Sequence, residues 1–366
     1  MHAALRPLAD RVLAAILPRP RTDGAGLAEG PVFVSSVRIG PRLHAALIMD
    51  EAGRELGRIP LEGRGHDIAT DPVNRRVVVF ARRPGWFALV IDVASLAPLA
   101  TIRPPDGHHF FGHGVFSADG RLLYATENDF AGGPRGVVGV YDATAGFARI
   151  GEFETGGLDA HEILLAPDGE TLVVANGGIE THPDFGRQKL GVATMRPSIV
   201  HIDRRHGDRV GEAMLPAALN RLSMRHMSFD GAGRLWFGCQ WEGERAVRPA
   251  LVGHLDRDGE PKLTDFPEPW ARLARNYIGS VTASRDGTRI ATSSPIGGVV
   301  FVFDAATGAP LAARPFRDGC GLAGAAGHHF LATSGDGVLL DLDDGSEPRT
   351  LARHGIHFDN HLKRLA

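Results

Sequence analysis

Short apolar runs recur along the chain, as at residues 76–81, 122–126 and 171–175, each bounded by turn-forming residues. That pattern predicts buried strands rather than helices. One turn punctuates many of these runs: Asp119-Gly120, Asp168-Gly169, Asp230-Gly231 and Asp286-Gly287, with a looser copy at Asp71-Pro72. Asp-Gly between apolar runs predicts a hairpin, because glycine takes the positive φ that a tight turn requires. Two further strand-like segments follow each hairpin, as at residues 135–141 with 148–154, 198–203 with 209–214, and 299–304 with 310–316. Four antiparallel strands in a repeat of about 40–50 residues is the pattern of a propeller blade. Six first-strand hairpins can be counted, and the seventh blade is expected from both ends, one strand from residues 361–366 and three from residues 31–63. The expectation is therefore an all-β, seven-bladed β-propeller closed by a clasp blade made of the C-terminal strand and three N-terminal strands. It forms one domain over residues 30–366, preceded by a leader or short helix at residues 1–29.

Aligning the repeats on the turn puts a polar residue at the same point of every blade: His66, His113, Glu162, His226, Ser280, Cys320 and His361. First strands line the channel of a propeller, so equivalent positions lie on a circle around its axis. His161 is one step out of phase beside Glu162, and a bulge would decide which of the two points inward. His66, His113, His161, Glu162, His226, Cys320 and His361 are thus the candidate metal ligands. Strand ends and loops reaching the same mouth supply candidate ligand-binding residues Arg82, His109, Glu127, Asn176, Arg225, Gln240 and Arg317, and the insertion at residues 177–195 is expected to fold over it. A histidine on a channel wall also serves as a satisfied structural polar group. Several in phase, joined by Glu and Cys, favour one transition-metal ion: imidazole suits Zn, Cu, Fe and Ni, carboxylate adds to the case for Fe or Zn, and thiolate to that for Cu or Zn.

Composition narrows the function classes. With 43% hydrophobic and 23% charged residues, disorder and a membrane span are not expected, and 40 basic against 43 acidic residues without a basic run leaves no footprint for nucleic acid. The 17 histidines beside only three tyrosines are the unusual feature. Cys239 and Cys320 are too few for a disulfide framework, although they leave a single bridge open. The chain has no phosphate-cradling GxxxxGK[ST], no CxxCH for covalent haem, no HExxH and no GxSxG, so neither a nucleotide nor a covalent haem is signalled. Whether the protein is an enzyme stays open at this point.

Several segments resemble a family of uncharacterised bacterial proteins, domain-of-unknown-function family 1513. They are Gly65-His66-Asp67, Phe111-Gly112-His113, Ala160-His161-Glu162, Met224-Arg225-His226, Phe237-Gly238-Cys239-Gln240 and Asp359-Asn360-His361. The resemblance covers roughly residues 30–366. It implies a periplasmic protein, or otherwise a cytoplasmic one, encoded beside imelysin-like and di-haem proteins of iron acquisition. Together with the polar ring it points to a metal-binding protein of iron or copper handling. The alternative is a non-enzymatic propeller that binds a partner protein or an anionic small molecule at the same mouth.

Overall fold

The computed structural model describes residues 30–186 and 188–365; the expected leader at residues 1–29 lies outside the described residues. Seven four-stranded antiparallel sheets form the blades of a β-propeller. Their first strands are Gly65–Thr70, His108–Phe116, Ala160–Leu165, Leu222–Phe229, Ser280–Ala283, Gly319–Gly324 and His357–Arg364. Each touches the first strands of the blades on either side, and the circle closes where His357–Arg364 meets Gly65–Thr70. These seven strands therefore enclose the axis.

The hairpin chemistry read from the sequence operates in the turns. Gly120, Gly169 and Gly287 have φ near 70°, and the preceding aspartates accept backbone N–H groups of the turn, as from Glu170 and Thr171 to Asp168 Oδ1 at 2.8 and 2.9 Å. The copy at Asp230 differs: there Gly233, not Gly231, takes the positive φ, and Asp230 Oδ1 accepts from the N–H groups of Ala232 and Arg234.

Strand periodicity explains the core. In Arg76–Ala81, the side chains of Val77, Val79 and Ala81 enter the apolar layer shared with the clasp blade, whereas Val78 and Phe80 enter the layer shared with the following blade. Successive residues of a strand point to opposite faces, and both faces of a blade are covered. This is why the strands read as nearly continuous apolar runs. The largest shared layer holds the fully buried Trp236, whose indole N–H donates to Asp230 Oδ2 at 3.1 Å, together with Phe301 and Phe303. The one described α-helix, Glu268–Ala274, closes over that layer through Trp270, which stacks on Phe301 at 4.9 Å.

The clasp forms as expected. His357–Arg364 pairs antiparallel with Val32–Gly40, with Phe33 opposite Arg364, Val34 opposite Lys363 and Ser35 opposite Leu362. Pairing resumes at Val37 opposite Phe358, so Asp359, Asn360 and His361 bulge opposite Ser36 alone. Cys239 and Cys320 are both buried and free. No described helix is long and apolar enough to cross a membrane.

Deleting residues 360–366 removes Leu362 from the apolar layer it shares with Phe33 and Leu47 and leaves Val32–Gly40 as an open edge. The expected result is loss of a cooperative thermal transition, read by circular dichroism; an unchanged melting curve would refute the clasp as the closure of the ring.

Candidate metal centre

Backbone irregularity places the polar ring. His66 and Asp67 together stand opposite one residue, because Gly65 pairs with Ala81 and Ile68 with Val79. The same two-against-one arrangement holds for His161 and Glu162, and Arg225 and Cys320 are single inserted residues between regular pairs. Phe111, Gly112 and His113 bulge between Phe110 and Gly114, much as the clasp strand does before His361. Only Ser280–Ala283 is regular at this level. A β-bulge re-aims side chains that strict alternation would send to opposite faces. His161 and Glu162 are consequently both buried on the axis, as are His66 and Asp67.

Five imidazoles meet there. His113 is central, with ring centroids 4.9 Å from His66, 4.8 Å from His161, 5.7 Å from His226 and 5.0 Å from His361. His66 and His361 are 4.8 Å apart, His161 and His226 4.9 Å, and His226 and His361 5.1 Å. Two triads can each bring one nitrogen per residue within 4.8 Å of the others: His66, His113 and His361, and His113, His161 and His226. A third group of this kind, Asp67, His113 and Glu162, includes the carboxylates behind the imidazoles.

Hydrogen-bond partners assign the protons. His113 Nδ1 lies 3.0 Å from Asp67 Oδ2 and His226 Nδ1 lies 3.3 Å from Glu162 Oε2. A carboxylate only accepts, so both Nδ1 atoms donate and both Nε2 atoms carry a lone pair. His161 is reversed: Arg225 Nη2 approaches its Nδ1 at 3.1 Å, and since guanidinium only donates, the proton of a neutral His161 sits on Nε2. Arg225 is itself held by Asp159 Oδ2 at 2.6 Å. Within the ring, buried nitrogens without a hydrogen-bond partner occur on His66 (Nδ1), His113 (Nε2) and His361 (Nε2), the three members of the first triad; elsewhere His44, His254 and His354 each have one, singly and outside any such group.

Charge is balanced just behind the rings. Lys363 Nζ lies 3.3 Å from Asp67 Oδ1 and 3.8 Å from Glu162 Oε1. Burial pushes both carboxyls upward, but Lys363 and the imidazoles around Asp67, and the His226 hydrogen bond and Lys363 at Glu162, hold each below its ordinary range. Lys363, lowered by burial, is raised on balance by the two carboxylates. Burial, reinforced by neighbouring cations and imidazoles, drives His66, His161 and His361 well below 6.5; His226 is also lowered by burial, against the opposing pull of Glu162. Asp67 and Lys363 join the ring at positions that the repeat alignment missed. Asp67 follows His66 directly and becomes visible only once the bulge is known.

Cys320 lies outside the described triads; burial raises its thiol pKa, and its carbonyl accepts from Ser293 Oγ at 2.7 Å. On the mouth side of the imidazoles lies a chamber of about 120 Å³ lined by His66, His161 and His226 below and by Arg82, Arg83, Lys189, Arg225, Gln240 and Asn360 around it. Of the candidate ligand-binding residues, Arg82, Arg225 and Gln240 line this chamber, and Ile179 and Lys189 of the long insertion join them. Four other expected residues do not line it. Glu127 is fully buried, accepting from Tyr141 Oη at 2.5 Å and Arg149 Nη2 at 3.0 Å. Asn176 donates to Thr155 O and Ser198 Oγ, both at 3.2 Å. His109 stacks on Phe130 and takes a hydrogen bond from Asn128, while Arg317 is exposed and paired with Asp336. Position along a strand sets a residue's height in the ring, whereas the face its side chain takes depends on the local pleat.

Fold and site define a seven-bladed propeller whose axial channel is plugged by imidazoles. Residues 59–365 match the model of a family described as "Protein of unknown function (DUF1513)", and the chain belongs to that family. No curated protein matches it. Among solved structures it is similar to a chain of hydrazine synthase from Kuenenia stuttgartiensis, with a TM-score of 0.59, 14% identity, and coverage of 85% of this chain and 89% of the other. A chain of the mitotic checkpoint complex is similar with a TM-score of 0.58, 15% identity, and coverage of 81% and 83%. At these identities the likeness is one of fold.

Gly112 lies within the bulge at φ +107°, and a Cβ there would fall 2.6 Å from His66 Cδ2. Gly112→Ala is expected to cost about 1–3 kcal/mol through strain and crowding of the His66 ring, read by urea denaturation; a change below about 0.5 kcal/mol would show that the ring is free to move aside.

The lowered histidines also fix a pH response. In the unfolded chain they protonate near 6.5, and in the folded chain only at lower pH. Acid therefore supplies protons that the unfolded state binds first. The apoprotein should keep its full thermal midpoint above about pH 6.5 and lose it progressively toward pH 5; a midpoint that rises over that interval would contradict the neutral cluster.

Proposed function

We propose that the protein binds one transition-metal ion at the axis of the propeller, through His66, His113 and His361, with His226 closing the set. The observation that carries this reading is the presence of buried, unpartnered ring nitrogens on all three members of one triad. An unpaired buried polar atom is costly, and three imidazoles that each turn a neutral nitrogen to a common point make a donor set that a metal satisfies. Asp67 and Glu162 support it by fixing the tautomers of His113 and His226, the arrangement in which a carboxylate orients a ligating imidazole. Their negative charge, only partly offset by Lys363, favours a cation. His161 is the exception in the ring: held by Arg225, it presents a proton rather than a lone pair and stands beside the ion as a hydrogen-bond donor.

Neutral imidazoles with no thiolate among them suit copper, zinc, nickel or iron. Iron or copper handling, export to the periplasm and action beside imelysin-like or di-haem proteins form the setting that the family resemblance supplies, and they are part of the proposal on that ground. Cell fractionation of the natural host separates a periplasmic from a cytoplasmic protein directly.

Protein purified without a His tag is expected to retain or take up one metal equivalent, measured by mass spectrometry and competition with a chromophoric chelator. His66→Ala with His361→Ala should abolish uptake while the fold persists by circular dichroism. Affinity should hold down through pH 6.5 and fall only in more acid solution, where the folded-state imidazoles begin to take up protons that the ion must displace. No bound metal and no uptake of Fe, Cu or Zn at about micromolar concentration would sink the proposal.

A further inference from the structure

The chamber above the imidazoles has a charge pattern of its own. Among the described residues four cationic side chains line it, Arg82, Arg83, Lys189 and Arg225, and no carboxylate does. Three of the four are neutralised from outside its wall: Arg82 by Asp359 at 3.2 Å, Lys189 by Glu242 at 2.5 Å and Arg225 by Asp159 at 2.6 Å. Asp359 is shared with Arg64 as well. Arg83 is the remainder. It is half-buried, it forms no ion pair with the described residues, and Asp159 and Glu242 act on it only through space, against the opposing charges of Arg225 and Arg82. A guanidinium withdrawn from water and left without an acid is costly unless an anion joins it.

Size and lining narrow the occupant. About 120 Å³ is several times the ~10–15 Å³ one water needs and well below the ~300 Å³ at which pockets for drug-sized ligands begin. The remaining polar lining consists of the Gln240 amide, which also donates to Ile278 O at 3.3 Å, the Asn360 amide, Tyr277, and at the floor the imidazoles, among them His161, whose proton sits on Nε2. We propose that this chamber is a binding site for a small monovalent anion, a carboxylate or oxyanion of a few heavy atoms, anchored by Arg83 and oriented by His161.

The adjoining metal is a separate matter, and this inference rests on the metal reading in one respect only. His66 and His226 belong both to the proposed ligand set and to the chamber floor, so a bound anion lies on the open side of the ion and serves as its exogenous ligand. The Arg83 anchor does not depend on the ion.

Calorimetric titration of formate and acetate into the full chain, once stripped of metal and once loaded with cobalt(II), tests this. Saturable one-to-one binding is expected in both forms, tighter in the loaded one, with a change in the cobalt visible spectrum. Arg83→Gln should weaken binding by about tenfold or more in both forms, and Arg83→Lys less; Arg317→Gln, at an exposed arginine away from the chamber, should leave it unchanged. Cobalt uptake should be the same in Arg83→Gln as in the unaltered protein, which also reports that the variant is folded. Absence of saturable binding up to about 10 mM, or equal affinity in the unaltered and Arg83→Gln proteins, overturns the site. If the His66→Ala, His361→Ala protein takes up no metal yet binds formate in an Arg83-dependent way, the anion site stands and the role of the ion in it falls.

Discussion

Packing five imidazoles into one buried channel, with neighbouring ring centroids 4.8 to 6.0 Å apart, disfavours charge on the rings. A second protonated ring at that distance would meet both desolvation and like-charge repulsion. The surrounding structure serves this condition. Burial lowers the affinity of His66, His161 and His361 for protons, and Asp67 and Glu162 take hydrogen bonds that direct lone pairs of His113 and His226 inward. Lys363 keeps those two carboxylates ionised by supplying the nearby positive charge. Removing any of the three would change the protonation of the others, so they are best regarded as one charge network around the rings.

The bulges make that network possible. A regular first strand sends one residue of each adjacent pair toward the axis and the next away from it. By inserting residues at the same height in every first strand but that of Ser280, the chain turns His66 with Asp67 and His161 with Glu162 toward the centre together. The ring thus acquires imidazole and supporting carboxylate from neighbouring positions in one strand. Gly112 belongs to the same arrangement, since the His66 ring occupies the space its missing Cβ leaves.

Imidazole floor and cationic wall divide the work of the mouth. The floor offers lone pairs, the wall offers N–H donors, and His161 stands between them because Arg225 accepts no proton and so turns the ring's own proton outward from that contact. Likeness in fold to a chain of hydrazine synthase and to one of the mitotic checkpoint complex is a likeness of scaffold, and function is argued from the site rather than from the fold.

Repeated Asp-Gly turns and short apolar runs were enough to read the blade number, the four-stranded sheets and the clasp, because hairpin geometry and strand burial are local and repeat along the chain. The same periodicity located His66, His113, His226 and His361 on one circle. It did not reveal that His161 and Glu162 both face inward, that Asp67 and Lys363 join them, or that Glu127 and Asn176 turn away into the blades. Those outcomes depend on bulges and on pairing between strands far apart in sequence, such as Ser35 with Leu362. Arg83 was invisible for a related reason. Its residue type was plain, but an unpaired charge is defined by where every carboxylate of the other blades comes to rest, and only the closed ring decides that.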